Sequence, residues 1–344
     1  MSGVDRVLAI RRGQTAYDEE LWRFMDRVIG PNLRNLEVAE LQQRLDEIDR
    51  NIQYLDPGRT PRDGLPPERG WMSPWWWLRQ RYWTTLEFDR RTLAPGGTPT
   101  VPPPLPVHPD LVGVMGGGRR QLVRIGSAKW LLPMLERGTL RFARASFYRQ
   151  PSLGVARADD ELAKSYRRPG QVINITTSDG RAIPALGDVQ FTRRRAIEAR
   201  AGLAEVEYWL CSFSSELDPR LFDEFGGPDP SDDACIIIHD PEAFVRQALK
   251  PLIALAPRAA KELFPVEYYD PWYPPAETLS PLRAKEHRYA FQQEMRFVLD
   301  PEAGPDLAAG DALFAEVGSL TAIAGLYDRD GRKIAGAGPA TFLG

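Results

Sequence analysis

Three short groups of side chains in this chain could do chemistry without a metal or a thiol. The first is Arg124, set within the apolar run 121–125. A guanidinium in such a strand needs a partner, because an unpaired buried charge is costly. It is either an ion-paired or edge-strand residue or, being planar and bidentate, a clamp for an anion such as phosphate. The second is Ser212-Phe213-Ser214-Ser215, at the end of the run EVEYWLC. Two hydroxyls at i and i+2 leave a strand on the same side. They could hold a carboxylate or a sugar hydroxyl in place, or serve as ordinary strand-end caps. The third is Gln292-Gln293-Glu294, just before the run MRFVL. Gln292 and Glu294 share one face at extended spacing. A carboxylate there could stabilise the positive charge that grows on a sugar as its glycosidic bond breaks, while the amide orients a second group. The plainer alternative is a polar strand start.

Several elements must position these groups. Leu21, Phe24, Met25 and Val28 recur at helical spacing and stop at Gly30-Pro31. Val38, Leu41, Leu45, Ile48, Ile52 and Leu55 form a narrow apolar seam, with Asn35 as candidate cap and Asp56-Pro57-Gly58 as stop. A third helix starts at Ser73-Pro74 and carries Trp75, Trp76, Leu78, Tyr82, Trp83 and Leu86. That aromatic density could stack bases, but packing is the commoner use. Residues 95–109 hold seven prolines and read as a spacer. Beyond them the pattern turns to short strands and helices. Strands are expected at 121–125, 139–147, 172–176, 205–212, 234–238, 266–269, 295–299 and near Leu326-Tyr327. Helices are expected after Ser127, ending at Gly138, and after Asp240. With no regular βαβ period, the fold class is α+β. A helical region at 1–92 is joined by a Pro/Gly-rich linker, 93–118, to a mainly antiparallel-sheet domain, 119–344.

Composition narrows the chemistry further. Two cysteines and three scattered histidines in 344 residues build neither a disulfide framework nor a local metal site. No metal is therefore expected. No apolar run approaches the ~18 residues of a membrane span, and the first twenty residues lack a secretory h-region. The expectation is a cytoplasmic protein, or one delivered by a signal-less route, with no membrane partner. A net charge of −3 gives no global attraction to nucleic acid, although Arg119-Arg120, Arg167-Arg168 and Arg193-Arg194-Arg195 are local clusters. Gly116-Gly117-Gly118 is followed by no Walker lysine, and there is no dinucleotide fingerprint.

An Arg on the first strand, a Ser-x-Ser ending a middle strand and a Gln-x-Glu entering a late strand, in that order, resemble the Arg–Ser–Glu class of the ADP-ribosyltransferase superfamily, which includes bacterial toxins. The strand–helix–strand at 121–148 is similar to that fold's opening unit. The resemblance spans roughly residues 119–330. It implies a bacterial, toxin-like or defence transferase that uses NAD as substrate and passes ADP-ribose to a protein or nucleic-acid acceptor. Arg124 then matches the residue contacting the NAD phosphates. Ser212 and Ser214 match the serine motif that supports the nicotinamide pocket, which Phe147 or Tyr148 would line. Glu294 matches the catalytic glutamate, and Gln292 the residue facing the acceptor. Phe213 departs from the family's middle threonine. The spacings of 88 and 82 residues between Arg124, Ser212 and Glu294 require insertions at 151–200 and 250–285. The second of these holds the aromatic stretch 268–275, which either stacks on an acceptor or packs as a loop. An antitoxin or other partner could engage the N-terminal helices. Two other functions stay open: a non-catalytic binding module, and a nucleic-acid-binding protein using Arg193–Arg195 and the Trp-rich helix.

Overall fold

The computed structural model describes residues 15–28, 30–31, 33–54, 74–97, 108, 111, 121–150, 152–154, 156–170, 173–199, 202–273, 279–301 and 312–338. The glycine triplet, the Arg119-Arg120 pair, most of the proline-rich stretch, Asp56-Pro57-Gly58, Ser73, and Pro274-Pro275 lie outside the described residues.

Three helices come first: α1 (Thr15–Val28), α2 (Val38–Tyr54) and α3 (Pro74–Arg90). The seam on α2 buries Leu41, Leu45, Ile48 and Ile52, as its spacing requires. On α1 the outcome differs from the expected stripe. Leu21 and Phe24 face solvent, and Trp22 is the buried residue. Its ring meets Tyr82 and its carbonyl accepts from Trp83 Nε1 at 2.8 Å. An indole buries more area than a leucine and so decides which face turns inward. On α3, Trp77 and Trp83 are almost wholly buried, so those two rings serve packing.

The remaining elements are β1 (Leu122–Ser127), α4 (Ala128–Arg137), β2 (Thr139–Arg144), β3 (Ala163–Arg168), β4 (Ile175–Thr176), β5 (Ala182–Ile183), β6 (Val189–Arg194), β7 (Ala196–Ala199), β8 (Gly202–Glu205), β9 (Trp209–Ser214), α5 (Leu221–Phe225), β10 (Asp233–Ile238), α6 (Pro241–Leu255), β11 (Ala259–Pro265), β12 (Glu267–Tyr269), β13 (Ala284–Glu286), β14 (Glu294–Pro301), β15 (Ala312–Glu316), β16 (Ala324–Asp328) and β17 (Lys333–Gly336). The expected strand at 205–212 is broken in two, and of the described residues 173–176 only Ile175 and Thr176 are strand. Gly138 ends α4 in the left-handed region at φ 67°, where a Cβ would strike the Gly318 carbonyl at 2.2 Å. Asp240 caps α6 by accepting from the Ala243 amide at 2.8 Å.

Among the described residues nine strands form one sheet, in the order β11-β14-β9-β1-β10-β16-β17, with β2 bridging β9 and β15. Its pairings are antiparallel. The fold is thus α+β, with N-terminal helices beside a mainly antiparallel sheet. The core lies where α4 and α6 cover the sheet, around Leu135, Phe142, Ile236, Phe244, Phe297 and Leu326. Short hairpins (β3–β6, β4–β5, β7–β8) fill the stretch between β2 and β9, where the spacing calls for an insertion.

The sheet is irregular around β9. This strand pairs along one edge with β14. On its other edge it pairs with β2 at Trp209 and Leu210 and with β1 only at Ser214. Strands β1 and β2 therefore part company across Cys211, Ser212 and Phe213.

Candidate active site

Arg124 fills that split. It is half-buried and sends Nη1 to the Ser212 carbonyl at 2.8 Å and to Cys211 Sγ at 3.0 Å. These are backbone and sulfur acceptors left free where β1 and β2 diverge. Arg124 has no carboxylate partner among the described residues. Arg157 lies close enough to feel its charge, bonds the Phe225 carbonyl, and likewise has no carboxylate partner among the described residues. Two guanidiniums without a carboxylate make a local positive field inside a chain of net negative charge.

Ser212 and Glu294 meet across the β9–β14 pair. Arg296 stands opposite Ser212, and Glu294 opposite Ser214. Ser212 Oγ donates to Glu294 Oε1 at 2.7 Å. Arg296 Nε reaches the same oxygen at 3.1 Å, and Lys285 Nζ donates to Oε2 at 2.8 Å. The Glu294 amide donates to the Tyr268 hydroxyl at 2.8 Å. Burial pushes the Glu294 carboxyl up, but the adjacent Arg296 and Lys285 charges and the bonds from Lys285 and Ser212 outweigh it. The group is held well below the usual carboxylate range.

Gln292 sits beside it, with both amide atoms engaged. Oε1 accepts from Lys285 Nζ at 2.9 Å and Nε2 donates to the Ala156 carbonyl at 2.7 Å. Between them, Gln293 takes a left-handed turn at φ 47°, and this turn leads from the 3-10 segment His287–Gln292 into β14. Ser214 shares the face of Ser212 but bonds the Glu216 carbonyl at 2.6 Å rather than Glu294. Tyr148 borders the group; burial pushes its hydroxyl up to about 12, with Arg124 opposing. Phe147 meets Tyr148 edge-on and lies under the Arg141 guanidinium at 5.0 Å.

The charges continue inward as an alternating row. Arg296 is bidentate to Glu161, at 2.9 and 3.1 Å, and Glu161 lies 3.7 Å from Lys164, which also pairs with Asp159. Burial pushes Glu161 up, while Lys164 holds Asp159 down against its own burial. Sequence reasoning missed Lys285, Arg296, Asp159, Glu161 and Lys164. Lys285, Asp159, Glu161 and Lys164 stand in charge-rich stretches and read as solvated surface, whereas Arg296, within the apolar run 295–299, carries the same signal as Arg124, that a guanidinium in an apolar strand needs a partner. The carboxylate of Glu294, which needs cations once buried, is a second signal that some of these residues turn inward.

Other sequence features lie mostly outside this group. In the aromatic stretch, Tyr268 and Tyr269 are buried and Trp272 lies under Arg167 at 4.4 Å. Arg194 pairs with Glu205, and Arg195 with Asp300. A cavity of 220 Å³ opens elsewhere, between α2 and the β3–β6 pair. It is lined by Glu40, Arg44, Trp272 and His287 among others, and not by Arg124, Ser212 or Glu294. Among the described residues no cluster of His, Cys, Asp or Glu could hold a metal, and no helix is long and apolar enough to cross a membrane. No protein-family model, curated protein or solved structure matches the chain.

Proposed function

We propose that this chain is an NAD-dependent mono-ADP-ribosyltransferase acting on a macromolecular acceptor, protein or nucleic acid. One observation carries the reading. Three residues separated by 88 and 82 positions are brought together on adjacent strands: Arg124 braces the Ser212 carbonyl, and Ser212 Oγ holds Glu294. The resemblance implies that trio as a working set.

The chemistry asked of the trio is modest. The bond from the nicotinamide nitrogen to ribose C1′ breaks, its electron pair leaving with nicotinamide and a positive charge spreading over C1′ and the ring oxygen. An ionised carboxylate beside that charge lowers the barrier, and Glu294 is held ionised at any ordinary pH. Arg124, with Arg157 nearby, suits the diphosphate. The acceptor's nucleophilic atom then bonds to C1′ and releases its proton to solvent. The resemblance makes Gln292, which neighbours Glu294 through Lys285, the residue that faces the acceptor.

The test is NAD consumption and transfer of label from NAD to lysate protein or nucleic acid. Glu294→Gln and Ser212→Ala should each lower turnover by about 10²–10³-fold, with folding checked by circular dichroism. Wild-type turnover in both folded variants would overturn the assignment.

A second reading has its own observation. Glu294 is bonded to two cations and is 5% exposed, as befits a purely structural ion pair in a binding module. It requires a wild-type protein that neither binds nor consumes NAD.

A further inference from the structure

In the arrangement seen here both Glu294 oxygens are engaged and covered. Oε1 takes Ser212 and Arg296, Oε2 takes Lys285, and Lys285, Gln292 and Glu294 are each 5% exposed. Oε2 keeps acceptor capacity, so it is burial that bars a substrate hydroxyl, and access requires that a residue covering the carboxylate move.

The donors are not equally fixed. Ser212 and Arg296 face each other on β9 and β14, two of the central strands of the large sheet. Lys285 sits on β13, three residues long, whose partner is the equally short β12. A 3-10 turn of six residues comes directly after it. Short two-stranded pairs are the weak part of a fold, so Lys285 is the donor that can move.

That segment is pinned from outside by the N-terminal helices. Asn51 on α2 accepts from the Phe291 amide at 2.8 Å and donates to the Arg288 carbonyl at 3.1 Å. Tyr54 stacks on Phe291 at 4.8 Å, and the Arg50 guanidinium lies over the same ring at 5.0 Å. Trp76 and Trp77 of α3 press on His287. The contacts given above are to residues 287–291 and not to Glu294.

We propose that Lys285 is a latch on the Glu294 site and that the N-terminal helices hold the latch shut, so that loosening α2 from residues 284–292 opens the site. The proposal rests on the reading of Glu294 as the NAD-processing carboxylate, but its first test does not. In the full-length chain, Asn51→Ala removes both Asn51 bonds. Hydrogen exchange is then measured at the β13 amides, which Asn51 does not contact. Exchange there should quicken by about tenfold while β9 and β14 keep their protection. An unchanged β13 overturns the latch. Were the variant to lose protection everywhere, Tyr54→Leu, which keeps apolar bulk and gives up the stack, decides by the same criterion.

The second arm is NAD turnover. Asn51→Ala and Lys285→Met should each exceed wild type, and combining them should add nothing, since both act on one event. Additive gains overturn the latch. Faster β13 exchange with no NAD turnover in any variant upholds the mechanical device and sinks the NAD reading instead.

Discussion

The ion pair between Arg44 on α2 and Asp270, just after β12, gives a sharp test of how the helical part is fastened to the sheet domain. Arg44 Nη1 and Nη2 reach the two Asp270 oxygens at 2.7 and 2.6 Å, and the side chains are 2% and 0% exposed. Arg44 also bonds Thr84 and Gln80, and Asp270 accepts from the Trp272 amide at 2.9 Å. Asp270→Asn keeps the shape but leaves a buried guanidinium facing an amide. Breaking a buried pair on one side costs about 3–5 kcal/mol, a large share of the roughly 5–15 kcal/mol that holds a typical domain. The expected result is a urea midpoint lowered accordingly, with α2 cleaved early by protease. Arg44→Met combined with Asp270→Leu should recover much of the loss, because neither charge is then stranded. The pH dependence is set by linkage. Burial raises the Asp270 carboxyl, but Arg44 outweighs it and holds the group below its ordinary value. Its stabilising effect is therefore complete above the unfolded pKa of about 3.9 and fades as pH falls through the lower folded value. The gap between wild type and Asp270→Asn should stay constant from neutral pH to about pH 5 and close only in stronger acid. A loss under about 1 kcal/mol, far below the cost of a stranded buried charge, or a gap that closes near neutrality, would refute the reasoning.

The core gives two further expected outcomes. Phe244 is fully buried and meets the Phe213 and Phe297 rings at 5.7 and 6.0 Å, so Phe244→Ala should cost about 3–5 kcal/mol by chemical denaturation. Cys211 and Cys235 are free, and burial pushes both thiols up; a thiol reagent at about pH 8 should label the native chain far more slowly than the urea-unfolded chain.

What is legible in the sequence is governed by period and punctuation. The α2 seam, the Gly138 stop, the Asp240 cap and the apolar strand 234–238 all appear where local pattern alone decides. That Arg124 in an apolar strand needs a partner is legible too, but the identity of the partner is not. The acceptors are a carbonyl and a sulfur freed by a split in strand pairing, and pairing is a long-range property. The same limit explains Lys285. Nothing in Ala284-Lys285-Glu286-His287-Arg288 distinguishes the residue turned toward Glu294 from its charged neighbours, because strand alternation says only that Lys285 and Glu286 point opposite ways. On α1 the apolar spacing points to one stripe, and the bulk of a single tryptophan chooses another.

The row Asp159–Lys164–Glu161–Arg296–Glu294–Lys285 alternates in sign and sums to zero. That balance constrains how the chain can diverge. Replacing any one of the six by a neutral residue strands an opposite charge away from water, whereas losing two neighbours of opposite sign leaves the sum intact. Variation among descendants of this sequence should come in matched pairs from the Asp159 end of the row, with Glu294 and its two cations the last to change.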